Sequence, residues 1–197
     1  SDSAANIAEN IDALQSSIGS INAITATGGT VILSASQVAA DSAVVALLSE
    51  VAVSDTAASI ASNIDALNTN ISYISSIGVS DGQVITLTAA QVTADTAVLA
   101  KLGTAADITV SDTAQNIVSN INAINSNLAN IDTLTVSSGT VSLTTAQLSA
   151  QAAVVARLGT VNVSDTAANI VTNISALNSN ANVDSITASS GTIGLRA

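Results

Sequence analysis

Four aspartates recur at one repeated position, Asp2, Asp55, Asp112 and Asp165, each a little over fifty residues from the next. In an acidic chain, carboxylates that return so regularly are calcium candidates. A calcium ion, however, gathers about six to eight oxygens. Each of these aspartates stands in an S-D-[ST] context with no second carboxylate nearby. The GGxGxD nonapeptide and the EF-hand loop are both missing. An Asp, Ser or Thr just before an apolar helical stripe has another use, which is to accept the unpaired amides of the first turn and complement the helix dipole. The reading adopted is helix capping, through Ser54 or Asp55 and their equivalents, with no metal and no cofactor.

Other reactive groups are scarce. The chain has no His or Cys, which removes an imidazole base, a thiolate nucleophile and a soft-metal site. Ser and Thr abound, but only scattered carboxylates could act as their base, so no enzyme is expected. The three cations are Lys101, Arg157 and Arg196, against a formal net charge of −11. Nucleic-acid binding rests on clustered Lys and Arg and is excluded as a partner class. Lys101 and Arg157 share a repeat position in the last turn of a helix, where a cation suits the dipole.

Amides and hydroxyls also recur. Asn6/Asn10, Asn116/Asn120 and Asn169/Asn173 lie four apart on one helix, with Ser59/Asn63 in the second repeat. Stacked repeats would set them in rows that hydrogen-bond between layers. Thr86-x-Thr88 and Thr133-x-Thr135 invite an ice-binding reading, but the equivalents Ile32/Ser34 and Ser142/Thr144 make the rows mixed. The sequons at Asn70, Asn162 and Asn173 are expected by chance in a chain so rich in Asn, Ser and Thr.

These residues are positioned by an internal repeat. SDSAANIAENIDAL (1–14), SDTAASIASNIDAL (54–67), SDTAQNIVSNINAI (111–124) and SDTAANIVTNISAL (164–177) align without gaps. Between them lies a second motif: LSASQVAADSAVVALL (33–48), LTAAQVTADTAVLAKL (87–102) and LTTAQLSAQAAVVARL (143–158). In the first motif Ala57, Ile60, Ile64 and Leu67 form an apolar stripe at helical period. The second opens with capping boxes at Ser34/Gln37, Thr88/Gln91 and Thr144/Gln147. Its helix runs through Val92, Leu99 and Leu102. β-branched runs lie between the helices, broken at the turn dipeptides Gly28-Gly29, Asp81-Gly82 and Ser138-Gly139.

With one aromatic residue, Tyr73, and no Phe, Trp or Met, the core must come from many small contacts in regular layers. The expected fold is an α/β repeat solenoid, with right-handed strand-helix coils and a largely parallel sheet covered by short amphipathic helices. A single solenoid over 1–197 divides into repeats 1–52, 53–109, 110–162 and 163–197, the last incomplete. Whether the glycine turns make hairpins or solenoid corners stays open. No apolar run is long enough for a transmembrane helix, so membrane insertion is not expected. The first residues already belong to a repeat, which argues against a signal peptide there.

At V-S-D-T-A-A-N-I (163–170), followed by N-I-S-A-L, the chain resembles tandem repeats of very large bacterial secreted or surface proteins, some adhesin-like. The resemblance covers essentially the whole chain. It implies an extracellular or cell-surface structural protein and carries no catalytic or binding residues with it. The expected function is a structural repeat module of a filament, matrix or adhesin stalk, self-assembling head to tail. Its partners would be neighbouring copies or further repeats of the same protein. The alternative is a binding surface for glycan, protein or ice on a repetitive Thr/Asn face.

Overall fold

The computed structural model describes residues 1–194. Arg196, which stands where the other repeats have a capping Ser or Thr, lies outside the described residues, as does the very end of repeat 163–197. The fold is α/β, built from short parallel strands and many short helices, with no closed barrel among the described residues. The chain forms two compact units, Ser1–Leu87 with Ala94–Thr109, and Thr88–Thr93 with Val110 onward.

In the first unit a parallel sheet has the order Val31–Leu33, Val51–Asp55, Ile74–Val79. Alternation along each strand decides which side chains go inward. Val31 pairs with Val51 and Leu33 with Val53, and Val51 and Val53 pair in turn with Ile74 and Ile77. All six are buried, whereas Ile32, between two of them, is 59% exposed. Helices over Ala35–Ala40, Ser42–Leu48, Ala57–Ser62 and Ile64–Thr69 supply Val38, Val44, Ile60 and Leu67 to the same core. Burying one such aliphatic side chain is worth about 1.5–3 kcal/mol, so layers of them replace the aromatic anchors the sequence lacks.

The second unit repeats the plan. Its sheet runs Ser142–Leu143, Val161–Thr166, Val183–Ser190, again parallel, with Val161 and Val163 fully buried on the central strand. Ile117, Ile124, Val154 and Val155 pack from helices Ala114–Ser119, Ile121–Ser126 and Ala152–Leu158.

The helices differ from the sequence expectation in one respect. Each motif reads as one helix but folds as two short ones, broken at Asn10, Asn63, Asn120 and Asn173 in the first motif and at Asp41, Asp95 and Gln151 in the second. Asn63 (φ −110°, ψ 14°) leaves the helical basin and donates its Nδ2 to the Ser59 carbonyl, and Asn10, Asn120 and Asn173 do the same one turn back. A short amide that bonds the backbone offers the chain an alternative to the helical ladder. These bonds also revise the expected amide rows: the Asn side chains bond mainly within their own repeat. Asn120 adds one bond across, accepting Thr93 Oγ1 at 2.8 Å.

The glycine turns do not close hairpins. The strands flanking Gly28-Gly29 (Ala26–Thr27 and Val31–Leu33) belong to different sheets, as do those flanking Gly139. Gly139 takes φ +79°, and a Cβ there would sit 3.3 Å from that of Ala114. Among the described residues no helix is long and apolar enough to cross a membrane.

Candidate functional site

Two recurring aspartate positions carry most of the electrostatics. The first is the S-D-[ST] position. The N-cap of each first-motif helix is the residue after the aspartate, Ser3, Thr56, Thr113 or Thr166, whose hydroxyl accepts the amide three residues on. The expected cap at Ser54 or Asp55 is thereby corrected by one or two residues. The physical reason is that the strand Val51–Asp55 continues through the aspartate, leaving its carboxylate for a different helix.

Asp55 Oδ1 accepts the Thr56 amide at 2.8 Å, and Oδ2 accepts Ser59 Oγ at 2.7 Å and the Ala35 amide at 2.9 Å. Ala35 opens the second-motif helix Ala35–Ala40, twenty residues earlier. Asp112 holds the Ala89 amide at 3.0 Å in the same way, and Asp165 holds the amide and hydroxyl of Thr145 at 2.9 and 2.7 Å. Asn116 and Asn169 each donate Nδ2 to the aspartate four residues before, at 2.7 Å. Asp2 receives the Ser3 amide and Asn6 Nδ2.

The donors set the acidity. At Asp165 the Asn169 amide, then the Thr145 hydroxyl and the Thr145 and Thr166 amides, lower the carboxyl to about 2. Asn6 and the Ser3 amide lower Asp2. At Asp55 and Asp112 burial pushes upward, but the side-chain and backbone donors outweigh it and both carboxyls end below the ordinary value. The same donors bear on calcium. A cation needs oxygen lone pairs facing it, and these oxygens are faced by N–H and O–H hydrogens. Among the described residues no group of three His, Cys, Asp or Glu is placed to hold a metal ion.

The second position escaped the sequence reading. Asp41 and Asp95, at the breaks of the second motif, are 2% and 1% exposed. Each meets a carboxyl from the preceding first-motif helix, Asp41 that of Asp12 and Asp95 that of Asp65. Burial first, then the facing carboxyl, pushes Asp41 and Asp95 up to about 6. In the third repeat the equivalents are amides, and Gln151 Nε2 donates to Asn122 Oδ1 at 2.6 Å. A signal for these pairs exists in the sequence: positions 12/41, 65/95 and 122/151 change from acid to amide together.

The other candidates are structural in their bonding. The three capping boxes form, with Ser34, Thr88 and Thr144 amides donating to Gln37, Gln91 and Gln147. Lys101 Nζ donates to the Ile74 carbonyl and the Arg157 guanidinium to that of Ile131, tying helix ends to equivalent positions in the two repeats. Asn70 is buried, donating to the Ala66 carbonyl. Thr86, Thr133 and Thr135 are exposed, but Ile32 and Ser142 occupy the positions equivalent to Thr86, so that row is mixed. No family model, no curated protein and no solved structure matches this chain.

Proposed function

We propose that this chain is a structural repeat module, a segment of an extracellular bacterial filament, matrix or adhesin stalk, and that it is not an enzyme. Its repeats wind as one right-handed solenoid of strand-helix coils over 1–197, in units 1–52, 53–109, 110–162 and 163–197. Further repeats or neighbouring copies of the same protein are its partners, joined head to tail, with no role for nucleic acid. The likeness of V-S-D-T-A-A-N-I to tandem units of large bacterial surface proteins supports the location.

One observation carries this reading. In three successive repeats the aspartate at a strand end accepts the first amide of the helix one motif earlier, from Ala35, Ala89 and Thr145. A bond that completes one motif from the next is the nearest-neighbour coupling on which repeat arrays depend. Ile174 adds to it, being 36% exposed where its equivalents Ile11, Ile64 and Ile121 are buried. That face would receive a further layer, and a contact of this head-to-tail kind propagates as an open filament.

Sedimentation velocity over a concentration series, with negative-stain imaging, tests the reading. Concentration-dependent linear species are expected. Monodisperse monomers at high concentration would rule out self-assembly.

A further inference from the structure

Three equivalent junctions solve one problem in two ways. Asp41, Asp95 and Gln151 each sit buried where two short helices meet, and each has a polar neighbour on the preceding first-motif helix, Asp12, Asp65 and Asn122. The amide pair shows what the place requires, which is that one partner supply a hydrogen. Gln151 Nε2 gives it to Asn122 Oδ1, while Gln151 Oε1 stays buried without a partner. The carboxyl pairs copy this arrangement, since Asp41 Oδ2 and Asp95 Oδ2 are likewise buried with no hydrogen-bond partner. Two ionised carboxylates have no hydrogen to share, and a buried oxyanion without a donor is costly.

We propose that Asp12–Asp41 and Asp65–Asp95 are proton-binding sites, each holding one proton between its two carboxyls where the third repeat uses the Gln151–Asn122 amide hydrogen. The proton is exchanged with solvent at the exposed side of each pair, where Asp12 and Asp65 lie, with no other bond made or broken. When it leaves, two like charges face each other at the junction and the repeat loosens.

The surroundings leave the proton as the neutralising ligand. Around Asp41, helix Ile11–Ser16 brings Asp12 and the neutral Gln15, whose Oε1 takes the Val44 amide. Helices Ala35–Ala40, Ser42–Leu48 and Ala57–Ser62 carry no titratable side chain. Strand Val51–Asp55 brings Asp55, bound at the far end of Ala35–Ala40, and Ile64–Thr69 brings Asp65, engaged with Asp95. The turn Ile71–Tyr73 carries Tyr73. Around Asp95, Ile64–Thr69 brings Asp65, and Thr96–Leu102 brings Lys101, committed to the Ile74 carbonyl. Ile74–Val79 and Gly103–Ala105 bring nothing titratable. A divalent cation would want about six to eight oxygens, and each pair offers two carboxyls.

Asp41 and Asp95 hold their protons more tightly folded than unfolded, so their contribution is full below about 4 and is lost as pH rises through about 6. The test is the urea midpoint of the whole chain between pH 5 and pH 8. Asp41→Asn or Asp95→Asn should each remove roughly half of the wild-type decline, and the double variant nearly all of it, because each pair contributes one linked proton. Converting the third pair to Asn122→Asp/Gln151→Glu should steepen the decline by roughly half. Infrared spectra of the wild type, which need no variant, should show protonated-carboxyl absorption at pH 5 that disappears by pH 8. A decline unchanged in the Asp41→Asn/Asp95→Asn variant, or no such band, overturns the proposal. So does calcium restoring the pH 8 midpoint in wild type but not in that variant, since the ligand would then be a cation.

Discussion

The strand-end and helix-junction aspartates are the same side chain placed a few residues from the same helices, and they respond to pH in opposite senses. Asp55 is ringed by the Thr56 and Ala35 amides and the Ser59 hydroxyl, so its charge is held by donors. Asp41 meets another carboxyl in a place that water barely reaches, so its charge is opposed. Both are buried or half-buried, and burial alone would raise both. The supply of hydrogens decides the outcome.

The largest test of that contrast is Asp55→Ala. It strands a helix-opening amide and the Ser59 hydroxyl, and should cost about 2 kcal/mol in urea unfolding at pH 7. Asp55→Asn keeps one accepting oxygen and should recover part of the loss; equal losses in the two variants would break the comparison. Next comes the pH profile of the wild type. The strand-end carboxyls contribute above the ordinary value of 3.8 and lose that contribution as pH falls through their folded values, about 2 for Asp165. The junction carboxyls contribute fully below 3.8 and lose it on rising through about 6. Stability should therefore peak near pH 4 and decline towards pH 6, assisted by relief of the −11 net charge at the acid side. A midpoint that climbs steadily from pH 4 to 7 would contradict it. Smallest is Thr145→Ala, which removes one of the donors to Asp165 and should cost about 1 kcal/mol at pH 7. The variant should also raise the pH at which acid unfolding begins.

How much of this was legible follows from the range of each interaction. The capping boxes span three residues, so Ser34-x-x-Gln37 and its copies could be read directly and form as spaced. Strand alternation at Val51 and Val53 is equally local. The helix breaks were not legible, because Asn63 on a polar face looks like any solvated residue until its side chain is seen bonding Ser59. The role of Asp55 was half visible: an aspartate before a helix suggests a cap, but the helix it serves begins at Ala35. The carboxyl pairs join residues on different motifs, and only their joint replacement by Asn122 and Gln151 betrays them in one dimension.

The tie from strand-end aspartate to earlier helix makes the start of one helix depend on a segment some twenty residues later. The amide of Ala35 is satisfied only while residues 51–55 are in place, and that of Thr145 only while 161–166 are. Melting of a later motif therefore exposes the start of the helix before it, as well as the Thr56 amide and Ser59 hydroxyl beside the lost aspartate in the case of Asp55. Slow-exchanging amides at helix starts should therefore report on the segment that follows them.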